Sequence, residues 1–175
     1  LARETRVQSP PVIQKREWLK PLSYKRDGVE RLQDISYGAS KRNRLDIYRR
    51  KNAAAGEPQS ALPGPVLLHV HGGAWVLGNK HQQALPLMNY LAQNGWICVD
   101  INYRLAHKDP FPACLIDIKK AIAWIKENIA NYGGDPNFVA ITGESAGGHL
   151  CALAALTANL PELQPGFEQL DTAVQ

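Results

Sequence analysis

Asn137-Phe-Val-Ala-Ile-Thr142 runs straight into Gly143-Glu-Ser-Ala-Gly-Gly148. The first stretch is short and apolar, as a strand buried on both faces would be. The second is made of small residues and continues as a helix through about Thr157. Ser145 therefore falls where a strand turns sharply into a helix. A nucleophile on such a turn is held in a strained backbone, with its hydroxyl clear of the sheet. Glycines two before and two after it remove side chains that would collide in the bend. The helix begins at Ala146, and its free N–H groups face the bend.

Upstream, the pattern of a buried strand followed by a break recurs. Pro65-Val-Leu-Leu-His-Val-His71 ends in Gly72-Gly73, and Trp96-Ile-Cys-Val-Asp-Ile101 ends in a proline-marked loop from Tyr103 to Pro112. A helix fits about Pro86 to Gln93, stopped by Asn94-Gly95. A second helix is marked by Ile118, Ile122, Ile125 and Ile129, which share one face, and Gly133-Gly134 end it. Alternating strands and helices predict an α/β fold, a mostly parallel sheet with flanking helices. Ahead of them, Leu32 to Tyr37 and Arg44 to Tyr48 alternate apolar and polar, as a strand pair does, and Lys51 to Pro65 reads as a loop.

The chain has 175 residues, 45% apolar and 21% charged, enough for one core and too few for two comfortable domains. No run of 18 apolar residues suggests a membrane span, and no signal peptide is visible, although the first residue is Leu1. Cys98, Cys114 and Cys151 sit among apolar neighbours without metal or disulfide spacing, and they read as small buried hydrophobes of a reduced protein. That leans towards a cytoplasmic setting while leaving the compartment open. Residues 1–51 hold 14 Lys/Arg against 6 Asp/Glu, and the remainder 6 against 10. In the basic part, charges alternate with Trp18, Leu19, Leu22 and Tyr24. A solvated face is therefore expected, and no nucleic-acid partner.

His71-Gly-Gly-Ala-Trp75 lies 74 residues before Ser145. Glycines after a strand end expose backbone N–H groups, and acyl transfer needs such donors for its oxyanion. Gly72, Gly73, Ala74 and Ala146 are the candidate oxyanion-hole residues. His71 is expected to hold this loop. Trp75 could line an acyl pocket or belong to the core. No set of His, Asp or Glu has metal spacing.

With these motifs, the chain resembles hormone-sensitive-lipase-like carboxylesterases of the α/β-hydrolase fold. The resemblance rests on Leu45-Asp-Ile-Tyr48, His71-Gly-Gly-Ala-Trp75, Tyr103-Arg-Leu-Ala106, Pro110-Phe-Pro-Ala113, Gly133-Gly-Asp-Pro136 and Gly143-Glu-Ser-Ala-Gly-Gly148, in the family's order. It implies that Ser145 is the nucleophile, that the candidate oxyanion donors are the amides of Gly73, Ala74 and Ala146 with Gly72 letting the loop turn, that the substrate is a small-molecule ester and that no cofactor is required. Ala74 stands where the family often has a third glycine, and Glu144 where Asp is commoner. The HGGxW form is also similar to formamidases that hydrolyse N-formyl amides.

A serine hydrolase of this fold orders its triad Ser, acid, His. The only histidine after Ser145 is His149, one helical turn along and directed away from the serine. The acid and the base are therefore expected in a C-terminal part beyond Gln175. On that reading, residues 1–30 are an N-terminal arm whose Trp18, Leu22 and Tyr24 could join a cap. Residues 31–175 are the N-terminal portion of the α/β-hydrolase catalytic domain. Phe138 to Thr142 would be interior to the complete sheet, so the rest of the same protein or a partner chain is expected along it. A homodimer is one such arrangement. The alternative from another class is a non-catalytic remnant that binds a ligand or partner. Arg104 and Asp117 are expected to pin the loop after the second buried strand.

Overall fold

A computed structural model describes residues 25–51 and 63–175. The expectations for Trp18, Leu19, Leu22 and Tyr24, and for most of the Lys51–Pro65 loop, fall outside them. The elements are β1 (Val29–Ser36), β2 (Arg44–Arg50), β3 (Gly64–Val70), α1 (Leu85–Gln93), β4 (Ile97–Asn102), α2 (Ala113–Asn128), β5 (Gly134–Gly143) and α3 (Ala146–Leu156). A short 3-10 turn, Ile129–Tyr132, ends α2 before Gly133.

The strands form one sheet in the order β1-β2-β4-β3-β5. The two outer pairings, β1 with β2 and β2 with β4, are antiparallel; β4 with β3 and β3 with β5 are parallel. β4 is buried along its whole length because strands flank it and helices cover both faces.

Register sorts the side chains between the two faces. Leu45, Ile47, Val66, Leu68, Val70, Val99 and Ile101 pack under α2 and α3, where Ile118, Ile122, Ile125 and Ile129 are all fully buried. The four-, three- and four-residue steps between these isoleucines thus build the larger core, each side chain contributing about 1.5–3 kcal/mol by burial. On the opposite face, Tyr48, Leu67 and Cys98 meet Leu85, Met88 and Ala92 from α1. Beyond that small apolar row the same face turns polar, with Asp46, Asp100 and His69 in register on three adjacent strands.

β5 is the outer strand on its side of the described sheet. Gln175 lies along its free edge: its amide donates to the Val139 carbonyl at 3.0 Å, and its side-chain oxygen accepts from the Val139 amide at 2.7 Å. The three cysteines are buried and free. Arg104 reaches Asp117 through Nε and Nη2 at 2.8–3.0 Å, and its amide donates to the same carboxylate. The Asp117 side chain is 1% exposed, so this forked pair does pin the loop to α2.

Candidate active site

Ser145 is exposed and adopts φ 51 and ψ −119, a region that non-glycine residues enter only under constraint, at about 1–3 kcal/mol. The constraint is close packing of two backbones. A Cβ on Gly147 would lie 2.0 Å from the Val70 carbonyl oxygen and 2.8 Å from that of His71. The first turn of α3 therefore rests directly on the end of β3.

The glycine bend after β3 meets the same place. A Cβ on Gly72 would lie 2.6 Å from the Glu144 carbonyl oxygen, so the two bends touch. Past Gly73 the loop curls back: Val76 and Leu77 both donate to the Gly73 carbonyl, at 3.1 and 3.0 Å. Ala74 (φ 48) and Trp75 (φ 62) are left-handed, a conformation that costs a residue with a Cβ about 1–2 kcal/mol, so the loop holds both under strain. Trp75 is 39% exposed and meets the His149 ring edge-on at 5.4 Å, so it belongs to the rim of the site rather than to the core.

One expected oxyanion donor needs correction. The Gly72 amide donates to the Gln83 side-chain oxygen at 2.6 Å, so it is already engaged. Among the described residues, the amides of Gly73, Ala74 and Ala146 have no such partner. Gly72 instead gives the loop its close approach to the elbow.

His71 holds the loop, as expected. Its ring stacks on Tyr103 at 4.3 Å, Nδ1 donates to the Gly72 carbonyl at 2.7 Å, and the Tyr103 hydroxyl donates to the His71 carbonyl at 2.9 Å. Arg42 braces the far side, donating to the carbonyls of Tyr103 (2.6 Å) and Gly78 (3.0 Å). Burial pushes the His71 imidazole down to about 4, so it is neutral and serves as a prop. His149 is exposed and lies against Trp75; no hydrogen bond joins its ring to Ser145 among the described residues.

Sequence reasoning missed the polar row beneath the site. His69, fully buried, donates from Nδ1 to Asp100 and from Nε2 to Glu144, each at 2.8 Å. Burial alone would push this imidazole down; the hydrogen bonds to Asp100 and Glu144 outweigh it and raise it to about 9. Its hydrogen bond, aided by its charge, draws Glu144 below the usual carboxylate range. At the other end, Lys80 is 1% exposed and donates to Asp46 at 2.7 Å and Asp34 at 2.8 Å. Arg31 also binds Asp46, at 2.9 Å through Nε. Lys80 belongs to the loop that follows Gly72, so this cluster ties that loop down to β2. A partial sequence signal existed: His69 and Asp100 are each a polar residue inside an apolar strand, while Asp46 lies in an alternating one.

Two consequences are measurable. Asp46→Ala would leave the Lys80 ammonium buried with only the exposed Asp34 carboxylate, costing about 3–5 kcal/mol. The thermal midpoint should fall by on the order of 10 °C, and a drop within error of zero would contradict the role given to Asp46. The histidines predict a stability maximum near neutrality. His69 is raised above its ordinary 6.5, so its contribution is complete below that pH and is lost as pH rises through about 9. His71 is lowered, so its contribution is present above 6.5 and is lost as pH falls towards about 4. Midpoints measured against pH should fall on both sides, and His69→Gln should flatten the alkaline side.

Among the described residues no cluster of His, Cys, Asp or Glu could hold a metal ion, and no helix is long and apolar enough to cross a membrane.

A family profile described as BD-FAE matches residues 45–174. Among curated proteins, the chain is 56% identical over 143 residues to Esterase LipQ of Mycobacterium tuberculosis, covering 81% of this chain and 33% of that protein. It is 57% identical over 145 residues to the probable carboxylic ester hydrolase LipM of the same organism, covering 81% and 32%. The chain thus spans about a third of the length of these relatives. Among solved structures, a truncated carbohydrate esterase from gut microbiota superposes with a TM-score of 0.69 at 26% identity, covering 83% of this chain and 54% of that one. A phosphonate-inhibited Esterase B from Lactobacillus rhamnosis superposes with a TM-score of 0.67 at 26% identity, covering 87% and 47%. The fold is that of these α/β-hydrolase esterases.

Proposed function

The chain belongs to the BD-FAE family of α/β-hydrolase esterases, and from that premise we propose that it carries the nucleophile and oxyanion hole of a serine carboxylesterase. The observation that carries this reading is Ser145 itself: exposed, at φ 51, on an elbow that abuts the glycine loop. Its oxygen attacks the ester carbonyl carbon while a base takes its proton. The carbonyl oxygen becomes an oxyanion held by the amides of Gly73, Ala74 and Ala146. Collapse of the tetrahedral intermediate expels the alcohol, which takes the proton back, and water then releases the acyl group.

Base and acid are assigned to sequence that the relatives carry beyond the matched third. The same sequence supplies a strand along the free edge of β5, or a partner chain does. A small-molecule ester, rather than an N-formyl amide, is favoured because the quoted relatives and structures are named as esterases or carboxylic ester hydrolases. The exposed Trp75, Val76 and Leu77 lie on the oxyanion loop and give the acyl group an apolar rim to rest on. No cofactor enters this chemistry.

The direct test is a fluorophosphonate probe on the complete product of the gene, followed by peptide mapping. The phosphonyl group is expected on Ser145. An unlabelled protein, or a label on another residue, rejects the nucleophile assignment.

A further inference from the structure

We propose that His69, oriented by Asp100 and bonded to Glu144, is a positioning residue that fixes the backbone presenting Ser145. The proposal rests on the reading of Ser145 as nucleophile.

The geometry runs across the sheet. Asp46 on β2 is paired with Asp100 on β4, Asp100 with His69 on β3, and His69 with Thr142 on β5. Residues paired in this way face the same side of a sheet. His69 therefore lies next to the last turn of β5 before the elbow, with Nε2 aimed at the carboxylate of Glu144. That residue directly precedes Ser145, and the Glu144 carbonyl also accepts the Gly147 amide at 2.8 Å. Fixing Glu144 thus fixes the residues on both sides of the serine. Nothing covalent holds φ 51 in place, and the serine would gain by relaxing from it.

Stability alone does not account for the arrangement. His69 and Asp100 are fully buried, and Asp100 Oδ2 has no hydrogen-bond partner among the described residues. Well-packed apolar residues at these positions would be as stable or more so. The Glu144 side chain is 48% exposed, where an ordinary ion pair contributes little. What the pair adds is direction: a charged hydrogen bond of defined geometry onto one side of a strained turn.

The groups around this pair are Asp100 on β4, Asp46 on β2, Lys80 in the oxyanion loop, His71 and Arg42 beside that loop, and Cys151 on α3. Cys151 stays protonated, its thiol pushed up to about 12 by burial. His71 is neutral. Burial pushes the Asp100 carboxyl up to about 7, against its hydrogen bond from His69, so Asp100 and His69 titrate as a coupled pair between neutral and alkaline pH.

The test uses the complete product of the gene, with p-nitrophenyl butyrate kinetics, thermal melting and fluorophosphonate labelling. Glu144→Gln keeps the shape of the side chain and removes its charge. It is expected to lower kcat by ~10-fold to ~100-fold, as small misplacements of a nucleophile do, with KM within about twofold and the thermal midpoint close to the parent. Glu144→Asp restores the carboxylate and should recover most of kcat. The alkaline limb of the kcat profile should move to lower pH in Glu144→Gln, because the imidazolium has lost an anion. The proposal is overturned if Glu144→Gln keeps kcat within twofold. It is also overturned if kcat and melting fall together, without rescue by Asp and with the alkaline limb unmoved. A parent protein that neither turns over ester nor takes the label rejects the nucleophile reading, and this proposal with it. A parent that does both, beside unaffected variants, rejects this proposal alone.

Discussion

Ser145→Ala is expected to abolish ester hydrolysis, lowering kcat by on the order of a million-fold, the scale seen when a triad nucleophile is lost. The reason is mechanistic rather than structural. The methyl group fits the space of the CH2OH, and the backbone donors remain, so substrate should still bind. Only the attacking oxygen is gone, and with it the acyl-enzyme route. Residual turnover should be the small acceleration that an oxyanion hole gives to direct attack by water. Steady-state kinetics on p-nitrophenyl butyrate, with fluorophosphonate labelling in parallel, make the measurement. Retention of more than about a hundredth of the parent rate would mean that the catalytic oxygen lies elsewhere, because bound water alone does not sustain such a rate.

The second large effect comes from a residue with no chemistry of its own. Gly147→Ala adds one methyl group at a point 2.0 Å from the Val70 carbonyl oxygen and 2.8 Å from that of His71. Neither neighbour can give way as a flexible side chain would, since both are backbone at the end of β3. Helix α3 must back off the sheet, and Ser145 moves with it. A displacement approaching 1 Å costs about 100-fold in rate, and the forced overpacking should cost about 3 kcal/mol in stability. Both kcat and the denaturant midpoint are expected to fall. An active variant of normal stability would show that the elbow does not rest on β3.

The elements whose length and periodicity carry their own signal were readable from the sequence. Four isoleucines at helical spacing marked α2, and three apolar runs ending in glycine or proline marked β3, β4 and β5; β3 and β4 are buried, whereas β5, expected to be buried on both faces, is mostly half-exposed because it is the outer strand of the described sheet. The elbow was readable because a strand, a small-residue bend and a helix follow one another along the chain. Lateral order was not readable from periodicity. That β4 lies between β2 and β3 depends on crossovers, and no residue pattern along one strand names its neighbour. For the same reason the polar row could not be assembled from the sequence. His69 and Asp100 each look like an isolated polar residue in an apolar run and Asp46 like one polar position of an alternating strand, and they acquire meaning only when register lines them up. The engagement of the Gly72 amide by Gln83 depends on a loop curling back over eleven positions, which no local rule describes.

The row that joins Lys80 to Asp46 at one end and His69 to Glu144 at the other has a consequence for selectivity. On the proposed reading of Ser145 and the glycine loop, both halves of the reaction centre are bolted to a common chassis, so one substrate can hardly bend them differently from another. On that reading, discrimination between acyl groups resides in parts that are free to vary, such as the exposed Trp75, Val76 and Leu77 side chains of the loop after Gly73. An enzyme built this way can change what it accepts while leaving how it cuts untouched.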